Sequence, residues 1–220
     1  MGRCSRCAGA LVAIFLVPTP IGAQIVAGEI PLADVLEVLV VDRDVLAIDA
    51  AGGGQTVARL RLHETVLWKA ARGKVGIALT NQRILAVATQ SSAWQEMKYR
   101  LNEVPPNEAL LGDRVAVAIT SQRVVGFDGG SANLIEYSLG SKERVLAVRT
   151  GENVGVVVTD RQALGLSPFV GGFFNTPIDL TDRIETVTAD SNLATLIGKK
   201  RLLIFRATTG SWEERERNLR

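Results

Sequence analysis

Cysteine is almost missing from this chain, and its only two copies, Cys4 and Cys7, stand at the very beginning. They fall in a stretch that reads as a secretory signal. Arg3 and Arg6 come without an acid, "AGALVAIFLV" forms an apolar core, Pro18 and Pro20 break it, and Ala23 supplies a small residue for cleavage. About ten apolar residues are too few for a membrane span, which needs roughly 20. The expected organisation is a cleaved signal peptide over residues 1–23 and one domain over 24–220. Cleavage would leave a cysteine-free chain, which excludes disulfides, thiol nucleophiles and thiolate metal sites. Neither cysteine stands just after the apolar core, where a lipid acceptor would be.

Other shortages exclude further functions. Without Arg3 and Arg6 the 25 basic residues become 23, against 23 acidic ones, so there is no cationic surplus for nucleic acid. His63 is the only histidine. With one imidazole and no thiol, no metal site is expected. The run "DRDVLAID" has spaced aspartates but lacks the central Gly and terminal Glu of a calcium loop. No phosphate-cradling loop or nucleophile elbow appears, and "GGGQT" has no following Lys, so no cofactor is expected. The expected setting is the bacterial periplasm or the medium, with a cell-envelope protein as partner.

What is present is a repeat. "LEVLVVDRDVLAI", "VGIALTNQRILAV", "VAVAITSQRVVGF", "VGVVVTDRQALGL" and "LATLIGKKRLLIF" align on Val41, Thr80, Thr120, Thr159 and Gly198, at intervals of 39, 40, 39 and 39 residues. Each unit has a run rich in Gly and Ala, a polar turn and a second apolar run. A third, more polar run follows, and a short run such as "TVLWKA", "RVLAV" or "RIETV" bridges to the next unit. No stretch holds a period of 3.6. Four short antiparallel strands every 40 residues or so, five times over, predict an all-β five-bladed β-propeller. The Gly/Ala-rich run is expected to be the innermost strand of each blade. The last unit, ending at Leu219, lacks a fourth strand, and residues 24–32 ("QIVAGEIPL") are expected to supply it and close the ring.

The segments "VLAIDAAGGG", "VVGFDGGSANLIEY" and "LLIFRATTGSWEER" resemble propeller repeats of the quinoprotein-dehydrogenase and WD40 kind. The resemblance covers the whole chain after the signal and implies the blade fold.

Candidate binding residues follow from the repeat. Asp44, Arg83, Arg123, Gln162 and Arg201 share one turn position, so Arg83, Arg123 and Arg201 would line one rim and could grip a carboxylate or phosphate. Equally, the Thr of that turn can bond the local backbone while the Arg covers the next blade. Trp94, Phe173 and Trp212 each lie seven residues before the Leu ending the third run, and suit either ligand stacking or packing between blades. The loop "SPFVGGFF" adds Phe169 and Phe174 to Phe173 and is an apolar binding patch if exposed. The leading expectation is a non-catalytic protein-interaction or scaffolding module. Behind it stand a small-ligand or glycan binder and a hydrolase or lyase using carboxylates and arginines such as Asp44, Arg83 and Arg123.

Overall fold

The computed structural model describes residues 35–50, 52–89, 91–178 and 183–217. These residues are all strand and turn, without helix. The first sheet holds β1 (Leu36–Val41), β2 (Asp44–Asp49) and β3 (Gln55–Arg59). The second holds β4 (Val66–Arg72), β5 (Val75–Thr80), β6 (Arg83–Ala88) and β7 (Gln95–Lys98). β8 (Ala109–Leu111), β9 (Val115–Ile119), β10 (Arg123–Asp128) and β11 (Asn133–Ser138) form the third. The fourth comprises β12 (Val145–Thr150), β13 (Gly155–Thr159), β14 (Gln162–Ser167) and β15 (Gly172–Pro177). The fifth comprises β16 (Ile184–Asp190), β17 (Leu193–Gly198), β18 (Arg201–Arg206) and β19 (Ser211–Glu216). All pairings are antiparallel between chain neighbours. These sheets are the blades of a β-propeller.

Two details of the expected blade are corrected. The bridging runs are β4, β12 and β16, and each pairs with the hairpin that follows it, forming one edge of that sheet. An innermost blade strand must be a sheet edge. The Gly/Ala-rich run is instead the second strand, bonded on both sides. Its small residues serve the contact between sheets: a Cβ on Gly76 would sit 2.7 Å from a Val38 methyl carbon of the first sheet. The second correction follows from the same shift of phase. The last sheet is complete, and the three-stranded sheet is the first. The proposed closing segment 24–32 and Leu219 lie outside the described residues.

Side-chain alternation makes the blades stack in chain order. Val75, Ile77, Leu79, Ile84 and Ala86 of the second sheet pack with Ala116, Ala118, Val125 and Phe127 of the third. Val115, Val117 and Val124 pack with Val157, Leu164 and Leu166 of the fourth. Val156, Val158 and Ala163 pack with Ala194, Leu196, Leu203 and Phe205 of the fifth. Leu36, Val38, Val45 and Ala47 join the first sheet to the second.

A backbone belt links the same turns. Lys74 N–H donates to Asp113 O at 2.7 Å, Arg114 N–H to Glu152 O at 2.9 Å, and Asn153 N–H to Ser191 O at 2.7 Å. The belt leaves no room for side chains where the turns touch. A Cβ on Gly112 would fall inside the van der Waals envelope of the Gly151 carbonyl oxygen. Gly112→Ala should therefore lower the unfolding free energy by about 3 kcal/mol, the upper range for overpacking. Gly54→Ala is the control, because nothing lies within 4 Å of its Cβ position. Urea midpoints of the two variants check this.

Candidate functional site

The Thr-x-x-Arg turns are not an open cationic rim. Arg83 and Arg123 are buried, with side chains 6% and 4% exposed. Arg83 Nε donates to Glu64 Oε1 at 2.8 Å and Nη2 to Glu64 Oε2 at 3.1 Å, while Nη1 pairs with Glu96. Nη2 also reaches the Arg59 carbonyl of the preceding sheet at 2.8 Å. The Thr80 hydroxyl donates to Glu64 at 2.8 Å and accepts the Arg83 amide at 2.9 Å. The Arg61 amide donates to Glu64 at 2.7 Å.

The next blade repeats the arrangement. Arg123 binds Glu103 at 2.8 and 2.9 Å, pairs with Glu136, and donates to Lys98 O at 2.7 Å. Thr120 donates to Glu103, and the Arg100 amide does so at 2.6 Å. In the fourth sheet Gln162 replaces the arginine, and Glu143 accepts from Gln162 Nε2 at 2.9 Å, Thr159 at 2.7 Å and the Gly140 amide at 2.9 Å. Arg201 pairs with Glu214 at 3.1 Å and donates to Pro177 O at 3.3 Å. Asp44, the counterpart in the first sheet, is half-buried.

Burial would raise the carboxyls of Glu64 and Glu103, but the guanidinium of Arg83 or Arg123, the amide of Arg61 or Arg100 and the threonine hydroxyl outweigh it. Both groups titrate below the ordinary glutamate range and are saturated with donors. These groups brace the blade junctions and offer no free acid or base. Sequence reasoning missed these glutamates, although "RLHET", "RLNEV" and "GSKER" place them at 39- and 40-residue intervals. His63 beside Glu64 is exposed with φ 58°, and its carbonyl accepts from Asn81 Nδ2 at 3.0 Å.

The aromatic series is divided. Trp94 is half-buried and donates to Thr56 O at 3.1 Å across the first junction. Trp212 donates to Phe174 O at 2.8 Å and packs on Phe205, with ring centroids 5.0 Å apart. Phe174 lies 6.2 Å from Phe205, and Phe173 meets Tyr137 edge to face at 6.5 Å. These four rings pack between blades. Phe169 and Val170 alone stand out of the loop, 46% and 50% exposed. Ser167 Oγ accepts both of their amides, at 3.1 and 3.2 Å, and Gly171 closes the turn at φ 71°.

A second apolar feature was not anticipated. The loop tips joining one blade to the next carry Leu62 and Leu101, 72% and 87% exposed, at equivalent places. The backbone of each is pinned. Gln82 Nε2 donates to Leu62 O and Gln122 Nε2 to Leu101 O, both at 3.1 Å, and the next residues, His63 and Asn102, take φ 58° and 60°. Val104, 62% exposed, follows Glu103 directly. The glutamate that locks the arginine also binds the loop amide, so the brace aims the leucine outward.

A cavity of about 590 Å³ lies between the fourth and fifth sheets, lined by Leu146, Ala147, Arg149, Asp160, Ile178 and Arg183 among others. Among the described residues no group of three or more His, Cys, Asp or Glu could hold a metal ion. Among them, too, no helix is long and apolar enough to cross a membrane.

No protein-family profile matches the chain, and no curated protein matches it. Solved structures similar in fold include a chain of the mitotic checkpoint complex, 13% identical, TM-score 0.37, covering 94% of this chain and 74% of that one. Prp20p from Saccharomyces cerevisiae is 11% identical at TM-score 0.41, covering 74% of this chain and 53% of its own. AztD from Citrobacter koseri is 12% identical at TM-score 0.39, with 81% and 58% covered. This chain thus spans little more than half the length of the latter two.

The braces have a consequence for acid stability. Because the folded-state pKa values of Glu64 and Glu103 lie below those of the unfolded chain, their contribution is full above the ordinary glutamate pKa. It is lost as pH falls through the lowered folded values. The melting temperature should therefore drop progressively once the pH passes below the ordinary glutamate pKa of about 4.5. At neutral pH, Glu103→Ala removes the fully buried carboxylate partner of Arg123, leaving only Glu136 and the Lys98 carbonyl, and should cost about 3 kcal/mol. A pH series of thermal melts on both proteins measures the two effects; a flat acid limb in the parent would refute the first.

Proposed function

We propose that this protein is an exported, non-catalytic propeller that binds a cell-envelope protein through the rim carrying Leu62 and Leu101. The observation behind this reading is the repeated leucine on a pinned backbone. An apolar side chain that is largely wetted, as Leu62 and Leu101 are, gains burial energy of about 1.5–3 kcal/mol when a partner covers it. Holding its backbone in place beforehand reduces the ordering entropy that docking must overcome. The loop geometry does so twice, at equivalent places. Export is supported by the basic, apolar and small-residue order of the first 23 residues.

The cavity between the fourth and fifth sheets favours a second reading. Arg149 and Arg183 line it together with Asp160 and Glu185, beside Leu146 and Ile178, which suits a small polar or zwitterionic ligand with an apolar body.

Two measurements test the proposal. Leu62→Ser/Leu101→Ser should shift the unfolding free energy by less than about 0.5 kcal/mol each, as exposed positions do. It should also reduce cross-linked capture of the envelope partner from the native host at least about tenfold, which is 1.4 kcal/mol. Unchanged capture by this variant, with capture lost in Phe169→Ser, would move the contact to the Phe169–Val170 tip. Separately, mass spectrometry of the protein from its host should show a chain beginning at Gln24; a retained Met1 would refute export by cleavage.

A further inference from the structure

The end blades differ from those between them. Every residue of β5, β6 and β10 is buried, so the middle sheets are covered on both faces. In the first sheet burial alternates. Leu36, Val38, Val45 and Ala47 are buried against the second sheet. On the other face Leu39 and Leu46 are half-buried, and Val41, Ile48 and Val57 are 49%, 38% and 51% exposed. Strand register sets Leu39 opposite Leu46 and Leu46 opposite Val57, an apolar row across the sheet. The fifth sheet buries Ala194, Leu196, Leu203 and Phe205 against the fourth. Its other face has Leu193, 43% exposed, with Ile197, Leu202 and Ile204 half-buried. Among the described residues no core cluster joins the fifth sheet to the first.

The repeat identifies what these two faces are. The second sheet turns Gly76, Ala78, Leu85 and Val87 toward the first. The same repeat places in the first sheet are Glu37, Leu39, Leu46 and Ile48, which is its open face. The second sheet turns Val75, Ile77, Leu79, Ile84 and Ala86 toward the third. The same places in the fifth sheet are Leu193, Thr195, Ile197, Leu202 and Ile204, which is again its open face. The open surfaces are therefore the two halves of one blade-to-blade junction.

We propose that the open face of the fifth sheet docks on the open face of the first sheet of a second copy, so that chains associate head to tail. The occupant follows from continuity with the junctions inside the chain, because the surface that fits one open face is the other. Solvent-facing sheet surfaces are usually polar, and these two carry rows of Leu, Ile and Val. The first sheet also lacks the brace. Where the second has Thr80, Arg83 and Glu96, it has Val41, Asp44 and Val57. A contact there would rest on apolar packing without the brace. A heterologous contact of this kind yields a closed ring or a filament according to the rotation it imposes.

The test uses two variants of the whole chain, Ile48→Lys/Val57→Lys on the first sheet and Leu193→Lys/Ile204→Lys on the fifth. Sedimentation velocity should show association of the parent that grows with concentration. Each variant alone should be monomeric, its self-association weakened about a hundredfold or more by the lysines placed in the contact. An equimolar mixture should form a 1:1 dimer and stop, because only one good pair of faces remains. Strand content by circular dichroism verifies that each variant is folded; if Ile204→Lys is not, Leu193→Lys with Ile204→Ser replaces it. A parent that stays monomeric at every concentration overturns the proposal. So does a single variant that still self-associates, or a mixture that makes no dimer.

Discussion

A blade of this protein has two apolar faces, and no isolated sheet can bury both. Everything else in the structure follows from that constraint. Each sheet must lie against a neighbour on either side, so the residues facing across must interlock at van der Waals distance. This is why the second strand of the four-stranded blades carries Gly and Ala. The bulk comes from the opposite sheet, as where Val38 fills the space above Gly76. Volume is shared across each junction, and a change on one side is felt on the other. The cores therefore belong to pairs of blades and not to single ones.

Hydrophobic contact of this kind is strong but poorly directional, and it does not fix how one sheet is seated on the next. The Glu–Thr–Arg braces supply direction. Arg83 binds a glutamate in the incoming loop, a glutamate on its own outer strand and a carbonyl of the preceding sheet. It therefore ties three segments to one point. Buried ion pairs contribute little net stability because desolvation offsets attraction, but breaking one leaves a costly orphan. A misplaced blade would strand a guanidinium in a dry junction. The brace works in this way chiefly against wrong arrangements, and the fourth sheet achieves it with the neutral Gln162, Tyr137 and Asn175.

The repeat was legible because it rests on local spacing: strands, turns and the five-blade count follow from alternation and the 39- to 40-residue period. The phase of the blade was not, since a bridging run such as "TVLWKA" can pair with the hairpin before it or after it. Only the register of Ala70 on Ile77 decides that. The roles of the arginines were hidden for a similar reason. Arg83 in a sequence is a cation near a turn; its partner Glu64 lies nineteen residues earlier, beyond the blade boundary that the wrong phase drew. Phe173 and Phe169 are aromatics four residues apart in one short stretch, yet the first packs from strand β15 and the second protrudes from the preceding turn. The difference is a turn geometry set by Ser167 Oγ and Gly171, which composition does not reveal.

The same brace explains why exposure recurs where it does. Glu64 and Glu103 each use one oxygen for the threonine hydroxyl and arginine Nε, and the other for a backbone amide of the loop. Fixing that amide fixes the loop, and the loop then has to turn back within three residues. His63 and Asn102 make that turn in the left-handed region, which for residues with a Cβ is tolerated only where the surroundings hold it. The side chain before the turn has nowhere to go but outward, so a leucine at that place is wetted in both blades. A polar residue there would serve the brace equally well, and the fourth blade has Ser141 at the equivalent place. Leucine at 62 and 101 is thus not required by the brace, so replacing it changes the surface and leaves the junction intact.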